Sequence, residues 1–112
     1  MPLVAREDSL LAVIDLQPRL WGERLDADDR RCAEEAARRA AWLAATAHAL
    51  SVPAVITEED PQMNGPADAA VPAPLRACAP VLAKTVSGLA GCPEIMAAVR
   101  SAGRRTALLA GF

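Results

Sequence analysis

A three-layer α/β domain built on a parallel sheet is the fold class this sequence predicts, and three observations predict it. Apolar runs too short for helices recur four times, and none alternates with polar residues, as expected of strands covered on both faces. Stretches with helical spacing separate the first run from the second and the third from the fourth. The resulting order of strand, helix, strand, loop, strand, helix, strand is that of crossover-connected parallel strands. At 112 residues, 53% of them apolar, the chain fits one domain over residues 1–112.

The first strand is "LLAVIDL", Leu10 to Leu16, which Pro18 stops. An acidic "DADD" then opens a helix from about Arg30 to Leu50, with Cys32, Ala36, Ala40, Leu43, Ala47 and Leu50 at steps of three and four as its inner face. Pro53 precedes "AVIT", a second strand ending at Thr57. The following "EEDPQMNGPADAAVPAP" has the Pro, Gly and Asn content of a surface loop. "VLAKT", Val81 to Thr85, is the third strand. Pro93 and Glu94 suit a helix first turn, with Ile95, Met96, Val99 and Ala102 facing inward before Gly103 ends the helix. "TALLAG", Thr106 to Gly111, is the fourth strand.

Composition excludes several classes. Net charge is −2, with Arg and Glu interspersed, so no basic stripe offers itself to nucleic acid. The longest strongly apolar stretch, Leu10 to Ile14, falls far short of the roughly 20 residues of a membrane span. Cys32, Cys78 and Cys92 are too few and too scattered for a disulfide framework or a metal knuckle, which points to a cytoplasmic protein.

Two charged residues stand out by position. Asp15 lies near the carboxyl end of the first strand with apolar neighbours on either side, where an unpaired carboxylate costs several kcal/mol or more. Capping of the turn at Pro18 is the alternative reading. Lys84 occupies the matching place in the third strand, and it is the one lysine beside eleven arginines. An amine can trade protons near neutrality where a guanidinium cannot, although a lysine with a packed stem and a solvated head is equally compatible. In parallel α/β sheets ligands bind beyond the carboxyl ends of the strands, so the two are expected to meet there in a charge-assisted contact.

Taken in order, these segments resemble the isochorismatase-like cysteine hydrolases. "LLAVIDLQPRL" resembles their first strand with its D-x-Q stretch, "VPAVITEEDP" their second, and "VLAKTVSGLAGCPEIMAAVRSAGRRTALLAGF" their lysine strand, next helix and fourth strand. The resemblance implies a Rossmann-like αβα fold with strand order 3-2-1-4, truncated after the fourth strand, so the domain is C-terminally incomplete and "TALLAG" is an apolar edge. It implies an Asp-Lys-Cys triad acting on a C–N amide bond of a small molecule, with Asp15 and Lys84 as catalytic residues and Gln17 and Trp21 in substrate binding. The family's nucleophilic Cys follows the fourth strand, and none of Cys32, Cys78 and Cys92 stands there. The 112-residue chain is therefore expected to be inactive alone toward amides, and its open edge to drive homo-oligomer formation.

The remaining candidates are weaker. His48 is the one histidine, so the Asp and His metal cluster of nicotinamidase-like members has no counterpart in "TEEDPQ", and no metal or cofactor is expected. Glu58, Glu59 and Asp60 read as a solvated strand exit. Trp21 suits the core as well as a pocket wall. Cys92 before Pro93 is a thiol at a helix start, or simply a packed one. Two rival functions remain: a noncatalytic assembly piece, and a nucleotide-binding module, which "DLQPRLWG" disfavours because it lacks the glycines of a phosphate loop.

Overall fold

Four parallel strands, β1 (Ser9–Ile14), β2 (Ala54–Glu59), β3 (Val81–Lys84) and β4 (Thr106–Gly111), form one sheet in the order β3-β2-β1-β4. The computed structural model describes residues 3–22, 25–68, 71, 73–86 and 88–111. Phe112, which closes the fourth apolar run, lies outside them. Helices α1 (Ala27–Ala49), α2 (Pro61–Asn64), α3 (Ala73–Cys78) and α4 (Pro93–Ser101) connect the strands. The three-layer α/β class and the strand order are as expected.

Register sets where the strands end. Ile14 lies opposite Thr57 on one side and Gly111 on the other, while Glu59 lies opposite Lys84. The carboxyl ends of β2 and β3 therefore finish level with each other, and β1 finishes two residues short of them. On one face α1 and α3 cover Leu11, Val13 and Ile56. On the other α4 covers Leu10, Ala12 and Val55. Each central strand is thus buried on both faces, which is why these runs carry no polar alternation.

Helix α1 begins earlier than expected, at an N-cap where the Asp26 carboxylate accepts from the N–H groups of Asp28 and Asp29. Its buried stripe also differs: Ala33, Ala37, Ala40, Ala44 and Ala47 face the sheet, whereas Cys32, Ala36 and Leu50 are exposed. Alanine occurs on several sides of this helix, so periodicity alone leaves the phase open. Small side chains at steps of four and three bring the helix axis close to the sheet, which fixes it.

The segment between β2 and β3 is more ordered than the loop expected there. Asp60, at φ +38°, caps the single turn α2, and α3 follows with Leu75 buried. Six residues make fewer than two turns of helix, too few to show a period. At the far edge, Gly111 has φ +125°, and a Cβ there would lie 1.9 Å from the Ile14 carbonyl oxygen. Only glycine lets β4 approach the end of β1 so closely.

Candidate functional site

The site begins with a backbone feature. Asp15 follows β1 directly and takes φ +50°, in the left-handed region. Asp tolerates that region better than most residues. Strand β1 ends at this turn of the chain. The Asp15 N–H remains bonded to β2 through the Thr57 carbonyl at 3.1 Å and the Thr57 Oγ1 at 3.2 Å.

Parallel strands lie about 4.8 Å apart, so a contact between β1 and β3 must span roughly 10 Å over the end of β2. The long stem of Lys84 makes this possible, and the short Thr57 leaves room for it. Lys84 Nζ lies 2.7 Å from Asp15 Oδ2, and it also donates to the Val86 carbonyl at 3.2 Å. The other carboxylate oxygen, Oδ1, accepts from the Thr57 hydroxyl at 2.8 Å. Both charges are nearly withdrawn from water, with Asp15 6% and Lys84 2% exposed.

Such an ion pair is a poor way to stabilise a fold. Desolvating two charges cancels most of their attraction, and well-packed apolar residues commonly do as well or better. Removal of one partner, by contrast, typically costs about 3–5 kcal/mol because the other charge is left buried. The pair is thus strongly self-dependent while adding little net stability.

Gln17 and Trp21 occupy different surroundings. Gln17 is fully buried, its Nε2 donating to the carbonyls of Glu59 at 3.0 Å and Gly65 at 2.7 Å, and its Oε1 accepting from the Glu59 N–H at 2.8 Å. These bonds fasten the exit of β2 to the segment after β1. Trp21 packs into the apolar cluster beneath α1. Neither lines the cavity beside Lys84.

That cavity, of about 470 Å³, lies between the end of β3 and the start of α4, with Lys84, Asp60, Val86, Cys92 and Glu94 in its wall. Cys92 is the N-cap of α4, and its Sγ lies 3.2 Å from Glu94 Oε2. The backbone at the start of α4, and secondarily the Cys92 thiol, hold the Glu94 carboxyl below its ordinary range. Glu58 accepts from the Ala67 N–H at 2.8 Å, so this acidic stretch is tied into the chain. Among the described residues no group of three or more His, Cys, Asp or Glu could hold a metal ion.

Thr57 is the site residue that sequence reasoning passed over. It is buried and polar at the end of an apolar strand, in the same situation that singled out Asp15. A terminal Thr, however, is also an ordinary strand former, which hid the signal.

Comparison with solved structures places the fold in a known architecture. YcaC from Pseudomonas aeruginosa, in a structure with hexane-2,5-diol and covalent acrylamide, aligns with a TM-score of 0.72 at 20% identity. The Escherichia coli YcaC gene product, described as an octameric hydrolase of unknown specificity, aligns at 0.73 and 20%. The fold is that of the isochorismatase-like hydrolases. MAR1 ribonuclease from Caenorhabditis elegans shares it, at 0.74 and 21%. In all three cases 96% of this chain is covered but 52% of the other, so it spans about half the length of these neighbours. No protein-family model and no curated protein matches the chain.

Proposed function

We propose that Asp15 and Lys84 form the proton-handling part of a hydrolase site that cleaves an amide C–N bond in a small molecule. The observation that carries this reading is the buried 2.7 Å pair at the carboxyl ends of β1 and β3, in a fold shared with hydrolases. In the mechanism, the Asp15 carboxylate takes the proton of a nucleophilic thiol and passes it to the departing amine, while the Lys84 ammonium stabilises the resulting anionic sulfur. The carbonyl carbon is held as an acyl-thioester until water releases the acid. Thr57 and Gln17 hold the two strand exits in register, and Trp21 supports the first from the core.

The thiol is proposed to come from a segment that follows β4 in a longer polypeptide, where it would lie beside Asp15, with backbone N–H groups as its oxyanion hole. The ribonuclease activity named for one neighbour is a poor fit here, because a net charge of −2 offers phosphates no attractive field. The test is turnover of small carboxamides by the 112-residue chain and by the polypeptide read in frame past Phe112. Hydrolysis is expected from the longer one alone, and is expected to be lost with Asp15→Ala or Lys84→Ala. A stop codon directly after Phe112, or hydrolysis that survives both substitutions, overturns the triad reading. Turnover by the short chain that disappears with Cys92→Ser moves the nucleophile to Cys92.

We also propose that copies of the chain associate, in a cytoplasmic setting. Three cysteines are free, and among the described residues no helix is long and apolar enough to cross a membrane. Among the described residues strand β4 pairs with β1 alone; it carries no charge along its length and leaves Leu109 64% exposed, features that invite strand addition. Leu109→Lys is expected to lower the sedimentation coefficient, and an unchanged value would place the contact elsewhere.

A further inference from the structure

At the opposite, amino-terminal end of the sheet a second cavity opens, of about 580 Å³, between the last turn of α1, the end of α3 and α4. Leu10, Val52, Val55 and Leu75 contribute its apolar wall. Two reactive side chains meet in its wall. His48 Nδ1, from the last turn of α1, lies 3.8 Å from Cys78 Sγ, from the last residue of α3. Both side chains are exposed. Cys78 is also within reach of the Pro74 carbonyl at 3.2 Å and the Leu75 carbonyl at 3.5 Å, which compete with the imidazole for the thiol proton.

We propose that His48 and Cys78 form a thiol-modification site for small soft electrophiles, separate from Asp15 and Lys84. Three features combine there: an accessible sulfur, a proton acceptor brought to it by a different helix, and an adjoining apolar cavity able to hold the organic part of a reagent. In the alkylation step the sulfur lone pair forms the new S–C bond, the carbon–halogen bond of a haloacetamide breaks, halide departs, and the thiol proton passes to His48 Nδ1. The C-terminal end of α1 accommodates the imidazolium so formed, since the helix dipole is negative there. Cys32 and Cys92 provide built-in controls. Cys32 is exposed on the polar face of α1 with no imidazole beside it, the single His48 being engaged at Cys78, and Cys92 is buried against Glu94.

The experiment is site-resolved mass spectrometry of the 112-residue chain during limited iodoacetamide labelling. Cys78 is expected to react on the order of tenfold faster than Cys32. A well-placed general base contributes about a hundredfold or more, and 3.8 Å is a long contact shared with two carbonyls. Cys92 should be slowest. His48→Ala is expected to bring Cys78 down to the rate of Cys32 and leave Cys32 itself unchanged. Equal rates at Cys78 and Cys32 in the unaltered protein overturn the proposal, as does a Cys78 rate indifferent to His48→Ala. If the variant unfolds, exposing Cys92, the ratio in the unaltered protein still decides.

Discussion

The two ends of the sheet treat charged groups in opposite ways. At the carboxyl end, Asp15, Thr57 and Lys84 are withdrawn from water, and no buried side-chain nitrogen or oxygen among the described residues lacks a partner. At the amino end the buried Ser9 hydroxyl is neutral and donates to the Ala5 carbonyl, and the charged groups stay at the surface, where Asp8 binds Arg105 and Arg104 donates to the Glu7 carbonyl. The contrast teaches where structure and chemistry are bound together. A change at the carboxyl end disturbs a closed network, and a similar change at the amino end returns its groups to solvent.

The largest expected effect is from Lys84→Met, which leaves the Asp15 carboxylate buried without its cation. A loss of about 3–5 kcal/mol is expected in urea unfolding, and a loss under 1 kcal/mol would erase the contrast between the ends. Thr57→Val removes the bond to Oδ1 and the longer one from the Asp15 N–H while keeping shape, and is expected to cost about 1–3 kcal/mol. Amide exchange at the end of β2 should rise in that variant and remain unchanged at the start of β4.

The smallest effect belongs to the amino end. The Arg105 side chain holds the Asp8 carboxyl below its ordinary range. Because the folded value is the lower one, the contact contributes above the unfolded pKa, near about 4, and is lost as pH falls through the folded value. Both groups lie at the surface, so the contribution is slight. Acid titration followed by circular dichroism should show Asp8→Asn losing marginally less stability below about pH 4 than the unaltered protein. An equal loss in the two would show that the contact carries no pH dependence.

Much of the architecture was legible because parallel strands covered on both faces must be continuously apolar. The four runs followed from that requirement, whereas the strand order and the edge position of β4 followed from the family resemblance. The phase of α1 was not legible, since alanine on several sides carries too little contrast, and α3 was too short to show a period. In the candidate site, Asp15 and Lys84 were visible as charges in apolar strands. Thr57 was not, because its role depends on register with Ile14 and on the turn at Asp15, and neither is written in β2 itself. Gln17 was visible only through the D-x-Q resemblance, while its bonds to Glu59 and Gly65 depend on how the segment after β2 folds back.

The claim that the buried pair is retained for chemistry, rather than to hold the fold, is tested most directly by the stability of the double variant Asp15→Asn with Lys84→Met. Asn tolerates the left-handed turn and can still accept from Thr57, so the variant removes both charges with little else. If the pair serves chemistry, the double variant is expected to unfold within about 1 kcal/mol of the unaltered protein, or at higher denaturant, even though Lys84→Met alone is costly. A double variant as unstable as Lys84→Met alone would contradict the account and make the pair a structural fastening.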